Sequence, residues 1–192
     1  HLVPEELEKL EKLNLSGRYI KLQKSLDAFL FCCYAGMRYS DFTNLSKKNI
    51  VDINQETWLI YKSVKTGTEV RLPLYLLFAG KGIVILNKYR NNLEDFFRLR
   101  DNSNINKDLI IIAKLAGLSK KISFHTARHT NATLLIYNGV NITTVQKLLG
   151  HKSVKTTQVY TNIMDMTIVH DLEKIKQAAL GIKKKTDNSF NK

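Results

Sequence analysis

The stretch HTARHTNATLLIYNGVNITTVQKLLGHKSVKTTQVY, residues 125–160, decides the fold. It holds no proline, and glycine alone punctuates it. Residues 126–138 carry apolar side chains at helical spacing and stop at Gly139. Residues 142–149 repeat the pattern and stop at Gly150, and a short third helix fits 153–160. Working upstream, residues 105–116 form a helix stopped by Gly117, and residues 83–89 another. Pro4-Glu5-Glu6 opens an N-terminal helix with acidic residues in its first turn and Leu7, Leu10 and Leu13 as its buried stripe. Gly17 breaks it. A longer helix is predicted over 18–34, with Ile20, Leu22, Leu26, Phe29 and Leu30 in the core, ending at Ala35-Gly36-Met37-Arg38. Ser40 can cap a short helix carrying Asp41, Phe42 and Leu45.

The period changes between 49 and 74. Residues 49–53, 57–64 and 69–74 are rich in Val, Ile, Trp and Tyr and read as strands, with Thr66-Gly67-Thr68 turning between the last two. Past residue 160 a last helix spans about 165–180, and a polar tail over 183–192 is expected to be disordered. The fold class is therefore mainly α with a small antiparallel three-stranded β-sheet, one domain over 1–182.

Thirty Lys and Arg face seventeen Asp and Glu, a formal charge of +13. Such an excess attracts a polyanion, because neutralised phosphates release counterions. A membrane surface would want a basic helix with aromatics opposite, and no clear one is present. The longest apolar stretch, 26–37, is too short to span a bilayer. Cys32 and Cys33 are adjacent and read as core residues of a reducing compartment, and no Cys-His zinc spacing occurs.

His125 and Arg128 lie three apart at a helix start, on one face, beside free backbone N–H groups and the positive end of the dipole. That combination suits a phosphate. Gly150 ends a helix and aims His151 from its end. Tyr160 follows nine residues later and, taken alone, reads as half-buried packing. His129 faces away from Arg128 and reads as a core or supporting group, and Tyr137 reads as packing.

Together these residues resemble a known signature. His-x-x-Arg at 125–128, Leu-Leu-Gly-His at 148–151 and Tyr160 resemble the C-terminal motif of the tyrosine recombinases, the family of phage integrases and Xer-type resolvases. Ala35-Gly36-Met37-Arg38-Tyr39-Ser40-Asp41 resembles that family's first arginine box. Lys65, eight residues before Pro73, falls on the strand pair that carries the family's lysine. Given Arg128, chance placement of two histidines and a tyrosine at these spacings, in a chain with 5 His and 8 Tyr, is roughly three in a hundred thousand. Asp41 stands where many members have Glu, with a shorter reach. The family's N-terminal DNA-clamping domain is absent from these 192 residues.

The resemblance implies a site-specific recombinase or integrase that cleaves DNA with Tyr160, forms a 3′-phosphotyrosine and rejoins strands when a 5′-hydroxyl attacks it. Arg38 and Arg128 would clamp the phosphate, His125 would take the tyrosine proton or relay it, Lys65 would protonate the leaving 5′-oxygen, and His151 would bond a phosphate oxygen. Asp41 would orient Arg38 or its helix. No metal, nucleotide or other cofactor is implied. The partner is double-stranded DNA, with a monomer when free and a homo-tetramer on DNA; the helix over 165–182 would fold back on its own domain in the free chain and dock on a neighbour in the assembly. The setting is cytoplasmic, with the nucleoid. Two rivals remain at this point: a helix-turn-helix binding module over 143–160, in which Tyr160 only packs, and a topoisomerase-like nicking enzyme.

Overall fold

The computed structural model describes residues 1–163 together with 172, 175 and 176. The expected helix over 165–182 and the tail over 183–192 otherwise lie outside the described residues. Apolar residues at helical spacing build the frame: α1 (Pro4–Glu11), α2 (Gln23–Ala35), α3 (Tyr39–Thr43), α4 (Lys81–Lys88), α5 (Leu93–Phe97), α6 (Asn102–Leu115), α7 (Phe124–Tyr137), α8 (Ile142–Leu149) and α9 (Val154–Thr157). Between α3 and α4 lies the sheet, β1 (Ile50–Ile53), β2 (Glu56–Lys62) and β3 (Glu69–Pro73), antiparallel in the order β1-β2-β3. Ile50 pairs with Leu59 and Leu59 with Leu72, so the register aligns the buried side chains Leu59 and Leu72 on one face. Fold class and sheet agree with the sequence reading.

Helix α2 is buried on nearly every side from Ser25 to Ala35, and it forms the axis of the core. Phe42 anchors α3 beside it, with its ring centroid 5.3 Å from that of Phe96, 5.5 Å from Phe97 and 5.9 Å from Phe31. Cys32 and Cys33 are free and buried in this core.

Local departures have local causes. Residues Gly17–Leu22 form a 3-10 helix, and the α-helix begins only at Gln23. The tighter winding turns Ile20 outward, 60% exposed, where a continuous helix would have placed it in the core. Ser40 does not cap α3: Arg38 holds the N-cap position, and Ser40 is the second residue of the helix. Leu45 lies beyond that helix yet is buried. Helix α5 was not expected; Asn92 caps it by accepting from Asp95 N at 3.2 Å. Tyr137 is 38% exposed. Among the described residues no helix is long and apolar enough to cross a membrane.

The junction of α2 and α7 positions the site. Gly36 ends α2 in the left-handed region, φ 66°, and its N–H donates to Cys32 O at 2.9 Å. Asn131, buried on α7, donates to Cys33 O and Tyr34 O at 2.9 and 3.0 Å, so that it satisfies carbonyls the helix end leaves open. A Cβ at residue 36 would lie 2.6 Å from Asn131 Oδ1 and 2.7 Å from Leu149 Cδ2. Gly36→Ala is expected to lower unfolding stability by about 2 kcal/mol, through backbone strain and overpacking together. A urea midpoint equal to that of the wild type would contradict this close approach.

Candidate active site

Arg128 sits in the second turn of α7 and is only 2% exposed. A cation at such depth needs compensation. Backbone carbonyls provide it: Nη1 donates to Gly36 O at 2.7 Å and Nη2 to Leu149 O at 2.6 Å. Both carbonyls belong to helix C-termini, of α2 and of α8, where carbonyls lack intrahelical partners and the dipoles are negative. These partners fix the guanidinium without cancelling its charge, which leaves it able to attract an anion. Burial, then the neighbouring charge of Arg38, brings its pKa down to about 10, so it stays charged at neutral pH.

Arg38 enters from the turn between α2 and α3. Its Nη1 lies 3.3 Å from Ser63 Oγ and 3.4 Å from Asp41 Oδ2. Asp41 is 1% exposed and also accepts from Val64 N at 2.8 Å. One carboxylate thus steadies Arg38 and anchors the base of the hairpin between β2 and β3. Lys65 stands exposed on that hairpin. Next to it, Thr66 Oγ1 donates to Gly150 O at 3.2 Å, which ties the hairpin to the turn that carries His151. Gly150, at φ 62°, ends α8, and a Cβ there would lie 2.6 Å from Val70 Cγ2. Only glycine permits this approach of the turn to β3.

His151 is buried, with Nδ1 2.9 Å from Thr157 Oγ1. Burial, with Arg128 and Arg38 adding to it, pushes its pKa down to about 4, so the ring is neutral at pH 7. Residues Gln158–Ile163 follow α9 as a 3-10 turn and deliver Tyr160. Its ring packs into a small cluster with Ala132, Leu135, Ile136, Val145 and Leu149. Its hydroxyl lies 2.8 Å from His129 Nδ1. Burial raises the Tyr160 pKa, against the opposing pull of Arg128 and Arg38. His125 is exposed near the start of α7, its ring edge-to-face with His129 at 4.4 Å between centroids. Partial burial and then the charges of Arg128, Arg38 and Lys65 hold its pKa below the usual imidazole value.

The fields of Arg38 and Arg128 therefore reach His125, His151 and Tyr160 alike, and that of Lys65 reaches His125. All six sequence candidates converge, with Asp41 beneath them. The difference lies at the nucleophile candidate: its hydroxyl meets His129, not His125. His129 sits one turn after His125 on the same helix face, a spacing the sequence displays. Its partner thirty-one residues away is visible only in the fold. Ser63 and Thr157, which hold Arg38 and His151, carry no sequence signal. Cavities of about 410 Å³ beside Ser25 and Arg98, and about 480 Å³ between α1 and the end of α7, are lined by other residues. Lys65 and His125 instead stand at an open surface, which suits a large ligand.

Comparison with known proteins places this arrangement. The phage integrase family matches residues 5–166. A tyrosine recombinase of Pseudothermotoga lettingae is 30% identical over 92% of this chain and 60% of its own length. The chain thus spans about 60% of the curated relatives it matches. Among solved structures, XerA recombinase superposes with a TM-score of 0.69 at 25% identity, covering 91% of this chain and 64% of that one. The XerH site-specific recombinase, in a post-cleavage complex with its palindromic difH substrate, gives 0.66 at 24% identity, covering 93% and 52%. The match over residues 5–166 takes in every residue of the cluster from Arg38 to Tyr160, and the chain belongs to the phage integrase family of tyrosine recombinases.

Proposed function

We propose that this chain is the catalytic part of a site-specific DNA recombinase that breaks and rejoins strands through a 3′-phosphotyrosine at Tyr160. One observation carries the reading: a phenol hydrogen-bonded to an imidazole lies in the field of two arginines, one of them held by carbonyls rather than carboxylates. Such a site binds a phosphate diester and presents it to an oxygen nucleophile. Arg38 and Arg128 stabilise the charge that grows on the equatorial oxygens. We assign Thr157 as the donor to His151 Nδ1, 2.9 Å away, which puts the ring proton on Nε2, a donor for a phosphate oxygen. Lys65, on its exposed hairpin, gives a proton to the leaving 5′-oxygen, and His125 assists proton removal at Tyr160.

The substrate is double-stranded DNA, in keeping with the charge of +13 and with the DNA-bound state of XerH. The chain acts as a monomer when free and a homo-tetramer on DNA, in the cytoplasm with the nucleoid. Residues 165–182 pack on their own domain in the free chain and dock on a neighbour in the DNA-bound assembly. Positive charge at the phosphate comes from the arginines, so the reaction needs no metal or nucleotide.

The test is a nicked suicide duplex bearing a site that the protein selects from random DNA. A protease-resistant peptide linked to DNA at residue 160, formed at undiminished yield in EDTA, is expected. A strict magnesium requirement would overturn the metal-free scheme. Attachment at another residue would overturn the assignment of Tyr160.

A further inference from the structure

We infer that His129 is the general base that takes the Tyr160 proton during cleavage and returns it during rejoining. The inference rests on the proposed role of Tyr160 as nucleophile. The Tyr160 hydroxyl and His129 Nδ1 are 2.8 Å apart, within reach for direct transfer. The His125 ring meets His129 edge-to-face at 85° and 4.4 Å, which fixes its tilt. The two histidines and Arg128 come from one rigid helix, so the donor of charge, the base and its neighbour are held in register by α7. His125 is exposed at the helix start, and no hydrogen bond joins it to Tyr160 among the described residues.

The surroundings of His129 suit a base that works only with substrate present. Partial burial, then His125, the amino group of His1 and Arg128, all lower its pKa, and Tyr160 faces it from the turn after α9. At pH 7 the ring is neutral; with its proton on Nε2, Nδ1 is open to accept. A docked phosphate brings negative charge that offsets these cations, and the imidazolium becomes less costly. The step balances. The Tyr160 O–H bond breaks and an N–H bond forms at His129 Nδ1. The phenolate oxygen bonds phosphorus as the P–O5′ bond breaks, and Lys65 protonates the departing oxygen. In rejoining, the 5′-hydroxyl gives its proton back to Lys65 and its oxygen bonds phosphorus as the bond from phosphorus to Tyr160 breaks, and His129 reprotonates the phenolate.

The experiment compares wild type with His129→Asn, which keeps an acceptor near the Nδ1 position but has no basicity. Single-turnover cleavage of the selected suicide duplex is expected to slow by about 10²- to 10³-fold at unchanged DNA affinity. Replacing Tyr160 by a fluorinated tyrosine, a more acidic phenol, should restore most of that loss. Cleavage by His129→Asn at the wild-type rate would overturn the inference, and so would a loss that the acidic phenol does not relieve. Nitrogen NMR of the wild-type protein adds a readout independent of any variant's folding. An Nε2–H tautomer whose Nδ1 signal moves in Tyr160→Phe supports the pairing, and an Nδ1–H tautomer refutes it. Failure of the functional reading looks different: wild type then forms no adduct at residue 160.

Discussion

Tyr160→Phe is expected to form no covalent adduct with a suicide duplex, while its DNA affinity stays within about twofold of wild type. The separation follows from how the side chain is divided. The ring packs with Leu135, Ile136 and Val145 in the small cluster under α7 and α8, and phenylalanine keeps that packing. The hydroxyl makes one bond, to His129, worth about 1 kcal/mol of stability. Its removal costs little in folding and everything in chemistry, because no other oxygen nucleophile is placed there by the proposal. The result separates the rivals. A binding module would lose nothing measurable, since it forms no adduct to begin with. A packing role would leave both stability and chemistry intact, since phenylalanine keeps the ring contacts. Normal adduct yield from the phenylalanine variant, read on a denaturing gel, is the outcome that removes Tyr160 from the mechanism.

The site was legible in sequence to the extent that it is carried by short spacings. His125 and Arg128 share a helix face by their separation of three, and Gly150 announces the turn that aims His151. Local period change placed the three strands. What escaped is long-range. Arg128 reaches carbonyls on α2 and α8, and Asn131 caps α2 from a helix almost a hundred residues later in the chain. Backbone carbonyls have no residue signature, so no pattern could mark them as partners. The partner of His129 escaped for a related reason. The side chain of His129 does turn away from that of Arg128, but the space it turns into is filled by a segment whose path the sequence does not reveal. Ile20 failed on geometry at a smaller scale, since a 3-10 turn and an α-turn share their apolar spacing for one turn and then diverge.

Arg38→Lys and Arg128→Lys are each expected to slow cleavage by about 10²- to 10³-fold or more, yet to differ in stability. Both lose a planar fork that can hold two phosphate oxygens at once, and an ammonium offers only a compact charge. The neighbours make the difference. Arg38 is half-buried and leans on Asp41 and Ser63 at 3.3–3.4 Å, a contact a lysine can approximate, so melting should hardly change. Arg128 bridges two helix ends at 2.6–2.7 Å while 2% exposed. A lysine there cannot span Gly36 O and Leu149 O and still face the phosphate. One carbonyl loses its partner at a cost of about 1–3 kcal/mol, and the junction of α2, α7 and α8 loosens. Arg128→Lys should therefore melt earlier as well as cleave slowly. His151→Trp provides the internal control, since an indole N–H can replace one donor to phosphate, and its loss should be the mildest of the three. Equal losses of cleavage at all three positions, or unchanged melting in Arg128→Lys, would mean that the guanidinium of Arg128 is not the fixed point around which the site is built.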